Sequence, residues 1–183
     1  MLSFYNINNQ YYNKGKKMAT AIFYASSTGN TEDAATAINE KLGGELTLVN
    51  VADSGISSIG EYDKIILGTS TWGDGDLQDD WEECIDEFKE IDFSGKTVAL
   101  FGLGDQEEYP DHYLDAVGIL YKVVSQKGAN VIGSWSTEGY EFDESKAVVD
   151  DNFVGLALDE DNQDDMSDER IATWCEQIKA QIL

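Results

Sequence analysis

From residue 18 onward, short apolar runs alternate with longer segments whose apolar residues recur every three or four positions. No other feature of the chain restricts its fold so far. A short apolar run without polar alternation reads as a strand covered on both faces, and an amphipathic segment between two such runs reads as a helix covering one of them. Residues 19–24, 46–51, 64–68, 97–101 and 130–132 read as strands. Between the first two, residues 31–42 put Ala34, Ile38 and Leu42 on one face and stop at Gly43-Gly44, which suits a helix C-terminal cap. Trp81, Cys84, Ile85 and Phe88 form an i, i+3, i+4, i+7 stripe, and Val117, Leu120, Tyr121 and Val124 form another. A last helix begins near Asp168 and turns Ile171, Trp174, Cys175 and Ile178 inward.

Strands alternating with helices imply a parallel sheet with helices on both faces. The expected architecture is an α/β fold: a doubly wound, five-stranded parallel sheet in the order 2-1-3-4-5. After residue 132 the pattern breaks for about twenty residues rich in Gly, Glu, Asp and Ser, and 153–158 read as the same strand resuming or as a partner to it. In such sheets a ligand sits at the carboxyl ends of the strands, where the winding reverses. The loops after strands one, three and four are therefore the place to look for function. Residues 18–183 read as one domain. Residues 1–17 hold three lysines and no acid, and read as a disordered tail or an upstream start.

The first of these loops is Ser26-Ser27-Thr28-Gly29-Asn30-Thr31, which opens a helix. A helix N-terminus offers unpaired N–H groups and partial positive charge, the hydroxyls add donors, and Gly29 lets the backbone wrap closely. The loop has no Lys or Arg, and the G-x-x-x-x-G-K-[ST] spacing of a triphosphate site is absent, so it suits one terminal phosphate. The second loop is Ser70-Thr71-Trp72-Gly73-Asp74-Gly75-Asp76, and its Trp72 is placed to lie flat on a ring system. The third, Gly102-Leu103-Gly104-Asp105-Gln106-Glu107-Glu108-Tyr109, supplies a second aromatic, and its G-x-G follows the wrong strand for a dinucleotide fingerprint. One phosphate nest and two loop aromatics describe a mononucleotide with a large planar head, and FMN fits better than a purine nucleotide.

Charge and cysteines narrow the function further. The chain carries 36 acidic against 12 basic residues, net −24. Such a surface repels nucleic acid and anionic membrane. It serves solubility alone or attracts a basic partner, and charge by itself does not choose between them. Cys84 and Cys175 lie on apolar stripes and read as small buried hydrophobes, with no metal-ligand spacing. The apolar runs are too short to span a membrane. His112, the sole histidine, reads as an exposed residue at a helix start. No nucleophile or general base with a partner stands out, so no catalytic residue is assigned. A nicotinamide-dependent flavin enzyme would want a nicotinamide-side pocket with basic residues for a phosphate. A phospho-acceptor receiver would want acids after strand one and an aspartate after strand three.

Residues 25–32 resemble the flavodoxin phosphate loop T/S-x-T-G-x-T, and Thr71-Trp72, residues 102–106 and Tyr109 resemble the two flavin-flanking loops. The interruption over 135–151, followed by residues 153–163, is similar to the long-chain subgroup, whose fifth strand is split by an insertion. The resemblance spans residues 19–182. It implies a flavodoxin-like fold and a low-potential one-electron carrier with non-covalently bound FMN, an electron-transfer protein and no enzyme. It implies phosphate on residues 26–31, the flavin ring between Trp72 and Tyr109, and backbone groups of 71–75 and 103–105 on the ring's polar edge. Asp161 would reach the ribitol or its neighbourhood. A backbone carbonyl just after the Trp would rotate toward the flavin on reduction, cheaply where Gly73 can visit positive φ. Gly73-Asp74 departs from the bulkier pair of many long-chain members and resembles the short-chain subgroup. Carboxylates near the ring would disfavour added negative charge and make the reduced protein a strong donor. The expected setting is a cytoplasmic monomer. Its expected partners are basic-surfaced redox proteins: a ferredoxin/flavodoxin-NADP reductase, a photosystem or a nitrogenase-type acceptor.

Overall fold

The computed structural model describes residues 20–183, so both readings of residues 1–17 lie outside it. The sheet is built from β1 (Thr20–Tyr24), β2 (Thr47–Asn50), β3 (Lys64–Trp72), β4 (Thr97–Leu103), β5 (Asn130–Ile132) and β6 (Leu156–Leu158). β1 pairs in parallel with β2 on one side and β3 on the other, and β3 pairs in parallel with β4. β5 pairs with Thr97–Ala99 of β4, and β6 with residues 101–103. The two short strands are thus collinear halves of one edge strand. The expected order 2-1-3-4-5 and its split fifth strand are both present.

The pleat explains why these strands read as continuous apolar runs. Ala21, Phe23, Ile65, Leu67, Val98 and Leu100 face one core, while Ile22, Tyr24, Ile66, Ala99 and Phe101 face the other. The long helices among the described residues cover them: α1 (Asn30–Lys41), α2 (Asp79–Phe88), α3 (Asp115–Gln126) and α4 (Ser167–Ile182). α2 and α3 bury Trp81, Phe88, Val117 and Leu120 on the first face. α1 and α4 bury Ile38, Ile171, Trp174 and Ile178 on the second. α1 ends as its glycines suggest: Gly43 and Gly44 are at φ 116° and 75°, and the Gly44 N–H donates to Asn39 O at 2.7 Å. Cys175 is buried and Cys84 half-buried; burial first, with neighbouring acids, pushes their thiols up to about 12 and about 11.

Two boundaries differ from the sequence reading. β3 runs on past residue 68 to Trp72: Thr69 and Ser70 still pair in parallel with Gly102 and Leu103 of β4, and Thr71 and Trp72 pair antiparallel with Leu77 and Asp76 in a hairpin beyond them. The run 153–158 serves two sheets. Phe153 pairs with Trp135 and Val148 in a small three-stranded sheet within the insertion, and Leu156–Leu158 return to the main sheet. The insertion packs Tyr140, Phe142 and Phe153 around Tyr113 just ahead of α3, with ring centroids 5.2–5.9 Å apart.

Candidate functional site

The winding reverses between β1 and β3, and the carboxyl ends of β1, β3 and β4 open into a cleft of about 310 Å³. The β1 loop contributes Thr28, Asn30 and Thr31 to its wall. α1 starts there with Gly29 at φ 104° and no side-chain cap, so N–H groups of its first turn remain for a ligand. Glu32 and Asp33 also sit in that turn, where acids suit the helix N-terminus but oppose an anion. Two predicted hydroxyls are engaged in the loop's own scaffold. Ser26 Oγ accepts from the Gly29 N–H at 3.1 Å, and Ser27 Oγ accepts from Gln78 Nε2 at 3.1 Å. Thr31 is buried while Thr28 is exposed.

The β3 hairpin contributes Ser70, Thr71, Trp72 and Gly73. Trp72 is 42% exposed, and its indole N–H donates to Ser70 Oγ at 2.9 Å, which orients the ring. Gly73 already sits at φ 46°, in the left-handed region that favours glycine, with only the Asp76 carboxylate near where a Cβ would stand. Asp74 and Gly75 lie off the cleft wall; Asp74 is exposed, and Gly75 at φ 95° rests on α3.

Leu103, Gly104, Asp105 and Tyr109 come from the β4 loop, and Tyr109 is 40% exposed. Glu160 and Asp161 close the remaining side. Two half-exposed aromatics and one uncapped helix therefore meet in a single cleft. No lysine or arginine lines it among the described residues. The acids there divide by environment. Burial, then the Asp105 and Asp159 charges, raises Asp161 above the ordinary carboxylate range. Burial also works against ionised Asp105, but hydrogen bonds from the Glu108 N–H, Asn162 and the Glu107 N–H outweigh it and hold that group low.

Sequence reasoning missed the groups that hold these loops. Gln78, buried ahead of α2, accepts from Asp80 and Trp81 N–H and donates to Ser27, tying the hairpin's far end to the β1 loop. Asp159 is fully buried and accepts from Gln106 N and Nε2, Asp161 N, and Asn162 N and Nδ2. It thereby joins the Tyr109 loop to the Asp161 turn. Gln106 Oε1 accepts in turn from the Glu141 N–H of the insertion at 2.6 Å. Asp115, also buried, takes the Lys146 N–H and ammonium. His112 is not the exposed residue expected: its ring is half-buried, within a short turn (Pro110–His112), 3.1 Å from Asp115.

The family model for flavodoxin matches residues 22–174. The chain is 50% identical over 164 residues to flavodoxin 2 of Escherichia coli K12, covering 88% of this chain and 95% of that protein. It is 45% identical over 161 residues to a Nostoc flavodoxin, covering 87% and 95%. The structure of Fusobacterium nucleatum flavodoxin bound to flavin mononucleotide superposes with a TM-score of 0.86 at 34% identity, covering 90% of this chain and 99% of that one.

Proposed function

This chain belongs to the flavodoxin family, and from that premise we propose that it is a long-chain flavodoxin: a cytoplasmic, monomeric, low-potential one-electron carrier that holds one FMN without a covalent bond. The observation that carries the reading is the meeting, in one cleft, of an uncapped helix start and two half-exposed aromatics on separate loops. Neutral donors at 28–31 suit one terminal phosphate, and nothing on the wall would hold a second. Trp72 and Tyr109 suit the faces of a flavin ring. When bound, the flavin supplies the electron-accepting chemistry. The protein's residues stack on it, offer backbone groups of 71–73 and 103–105 to its polar edge, and surround it with carboxylates that disfavour extra negative charge. The split edge strand and the insertion between its halves support the long-chain assignment.

The net charge of −24 supports partners with a basic docking face, of the reductase, photosystem or nitrogenase type. No helix among the described residues is long and apolar enough to cross a membrane. Purified protein should be yellow and release FMN, one per chain, on acid treatment; release of FAD would overturn the reading. Electron transfer with a basic-surfaced reductase should respond strongly to ionic strength, since the Debye length is about 10 Å at 0.1 M. A rate flat across salt would refute the electrostatic part.

A further inference from the structure

The hairpin that carries Trp72 is held on both limbs and open at its tip. At the tip, only the Asp76 carboxylate lies near Gly73, 3.8 Å from where a Cβ would stand, and Asp74 is exposed. On the return limb a Cβ at Gly75 would lie 2.5 Å from Asp115 Oδ2 and 3.1 Å from His112 Nδ1, so the Gly75 backbone rests directly on that pair. Beside it, the Ala116 N–H donates to Thr71 Oγ1 at 3.2 Å. The start of α3 therefore contacts the hairpin at Thr71 and again at Gly75.

Asp115 is itself held from several sides. Its Oδ1 accepts from the Lys146 N–H at 2.7 Å, and its Oδ2 from Lys146 Nζ at 2.6 Å with His112 Nδ1 at 3.1 Å. The residue before it, Leu114, is in the left-handed region at φ 61°, ψ 21°, which is strained for a residue that carries a side chain. That turn presents Asp115 and the Ala116 N–H to the hairpin together. The second contact to Lys146 comes from the insertion, whose backbone passes so close to α3 that a Cβ on Gly118 would stand 2.3 Å from the Lys146 carbonyl.

We propose that Asp115 is a positioning residue for the flavin site: it pins the Gly75 limb of the hairpin, confines backbone movement to Gly73 and Asp74, and, through Lys146, makes the insertion part of the anchor. The inference rests on the flavin reading of the cleft, and it concerns how Trp72 and the Gly73 peptide are held. Asp115→Asn keeps the shape and an acceptor but removes the charge that binds Lys146 and His112. Lys146→Met removes the ammonium and leaves the carboxylate.

The test compares full-length wild type with both variants by hydrogen exchange of the flavin-free chain, by FMN titration, and by redox titration of the FMN-loaded chain. The Gly75 and Ala116 amides should exchange about tenfold faster in Asp115→Asn while β1 amides keep their protection. FMN should bind about tenfold more weakly and the first one-electron potential should shift; Lys146→Met should move all three readouts in the same direction by less. Unchanged Gly75 exchange and an unchanged first potential in both variants would overturn the proposal even if melting temperature fell, because a merely structural role would move stability alone. Failure of the wild type to bind FMN would overturn the flavin reading instead, and the exchange comparison would still decide the anchor.

Discussion

Removing the Asp159 carboxylate should loosen two walls of the cleft at once. The group is fully buried and collects five N–H donors, three from the backbone of Gln106, Asp161 and Asn162 and two from the Gln106 and Asn162 amides, at 2.7–3.2 Å. In Asp159→Ala the side-chain amides can turn elsewhere, but the backbone donors cannot. The Gln106 N–H bond is buried and bears the full penalty of an unmade bond, about 1–3 kcal/mol. Those of Asp161 and Asn162 are partly buried, water reaches them, and each bears a fraction. Together the loss is about 3 kcal/mol, against a total stability of about 5–15 kcal/mol, so the variant should still fold. For a domain of this length that is a fall of about 6–12 °C in melting temperature.

Asp159→Asn separates charge from shape. It keeps one oxygen for the Asp161 and Asn162 N–H groups and turns an NH2 toward the Gln106 N–H, donor against donor. About half the alanine penalty is expected, roughly 1.5 kcal/mol. Thermal unfolding of the flavin-free variants by circular dichroism gives the stabilities, and titration with FMN followed by flavin fluorescence gives the affinities. Affinity should fall about tenfold in Asp159→Ala, equivalent to about 1.4 kcal/mol, because the Tyr109 loop and the Asp161 turn lose their shared anchor. A melting temperature within about 2 °C of wild type, with unchanged affinity, would refute the clamp.

Thr28→Leu should weaken FMN binding and leave the melting temperature of the flavin-free chain unchanged, since Thr28 is exposed on the cleft wall; Thr31 is buried and would confound the same experiment. Gly73→Ala meets no steric obstacle, so its penalty at φ 46° is that of the backbone alone, about 1 kcal/mol. A changed first one-electron potential in a redox titration is the expected result, and an unchanged one would point to Asp74 or the aromatics instead. Asp161, raised by burial and by Asp105 and Asp159, binds its proton more tightly folded than unfolded. Its contribution to stability is therefore fully present below the unfolded carboxylate pKa and is lost as pH rises through the folded value. Asp161→Asn should accordingly gain stability relative to wild type as pH rises from 3 to 7, read from melting temperatures across that range; a difference that stays constant with pH would contradict the shift.

The sheet and its helices were legible because strands covered on both faces need apolar residues at every position, and helices covering one face need a stripe. The limits of that signal are visible at two strands. Thr69 and Ser70 continue β3 alongside β4, and Thr71 and Trp72 continue it into the hairpin, so backbone pairing carries the strand on with no apolar run to announce it. Residues 153–158 are uniformly buried in two different sheets, and the crossover falls at Gly155, whose missing side chain lets the chain pass Leu100 O, where a Cβ would stand 2.2 Å away. An unbroken run cannot disclose that its two ends pair with different partners.

The cleft divides in the same way. Its walls were legible because a phosphate-sized nest and loop aromatics are unusual residues for strand ends. Its supports were not, because each makes contacts across long stretches of chain: Gln78 to Ser27, Asp115 to Lys146, Gln106 to Asp159. Gln78 was further hidden by being a glutamine where Ser, Thr, Asp or Asn is the usual helix start. The arrangement has a physical logic. Residues that must stay half-exposed to stack on a ligand contribute little burial energy to hold their own loops in place. The irregular backbone beneath them leaves N–H groups that no sheet or helix satisfies. A buried carboxylate with several such donors answers both needs, since it satisfies the backbone and ties loops from different strands to one point. Asp159 does this below Tyr109; Asp115, beside the Trp72 hairpin, takes one backbone N–H, that of Lys146, together with the Lys146 ammonium. Both reach the insertion, through Gln106 to Glu141 and through Lys146. The two aromatic walls are thus referred to the same added segment, and the spacing between them is set by contacts that neither wall's own sequence contains.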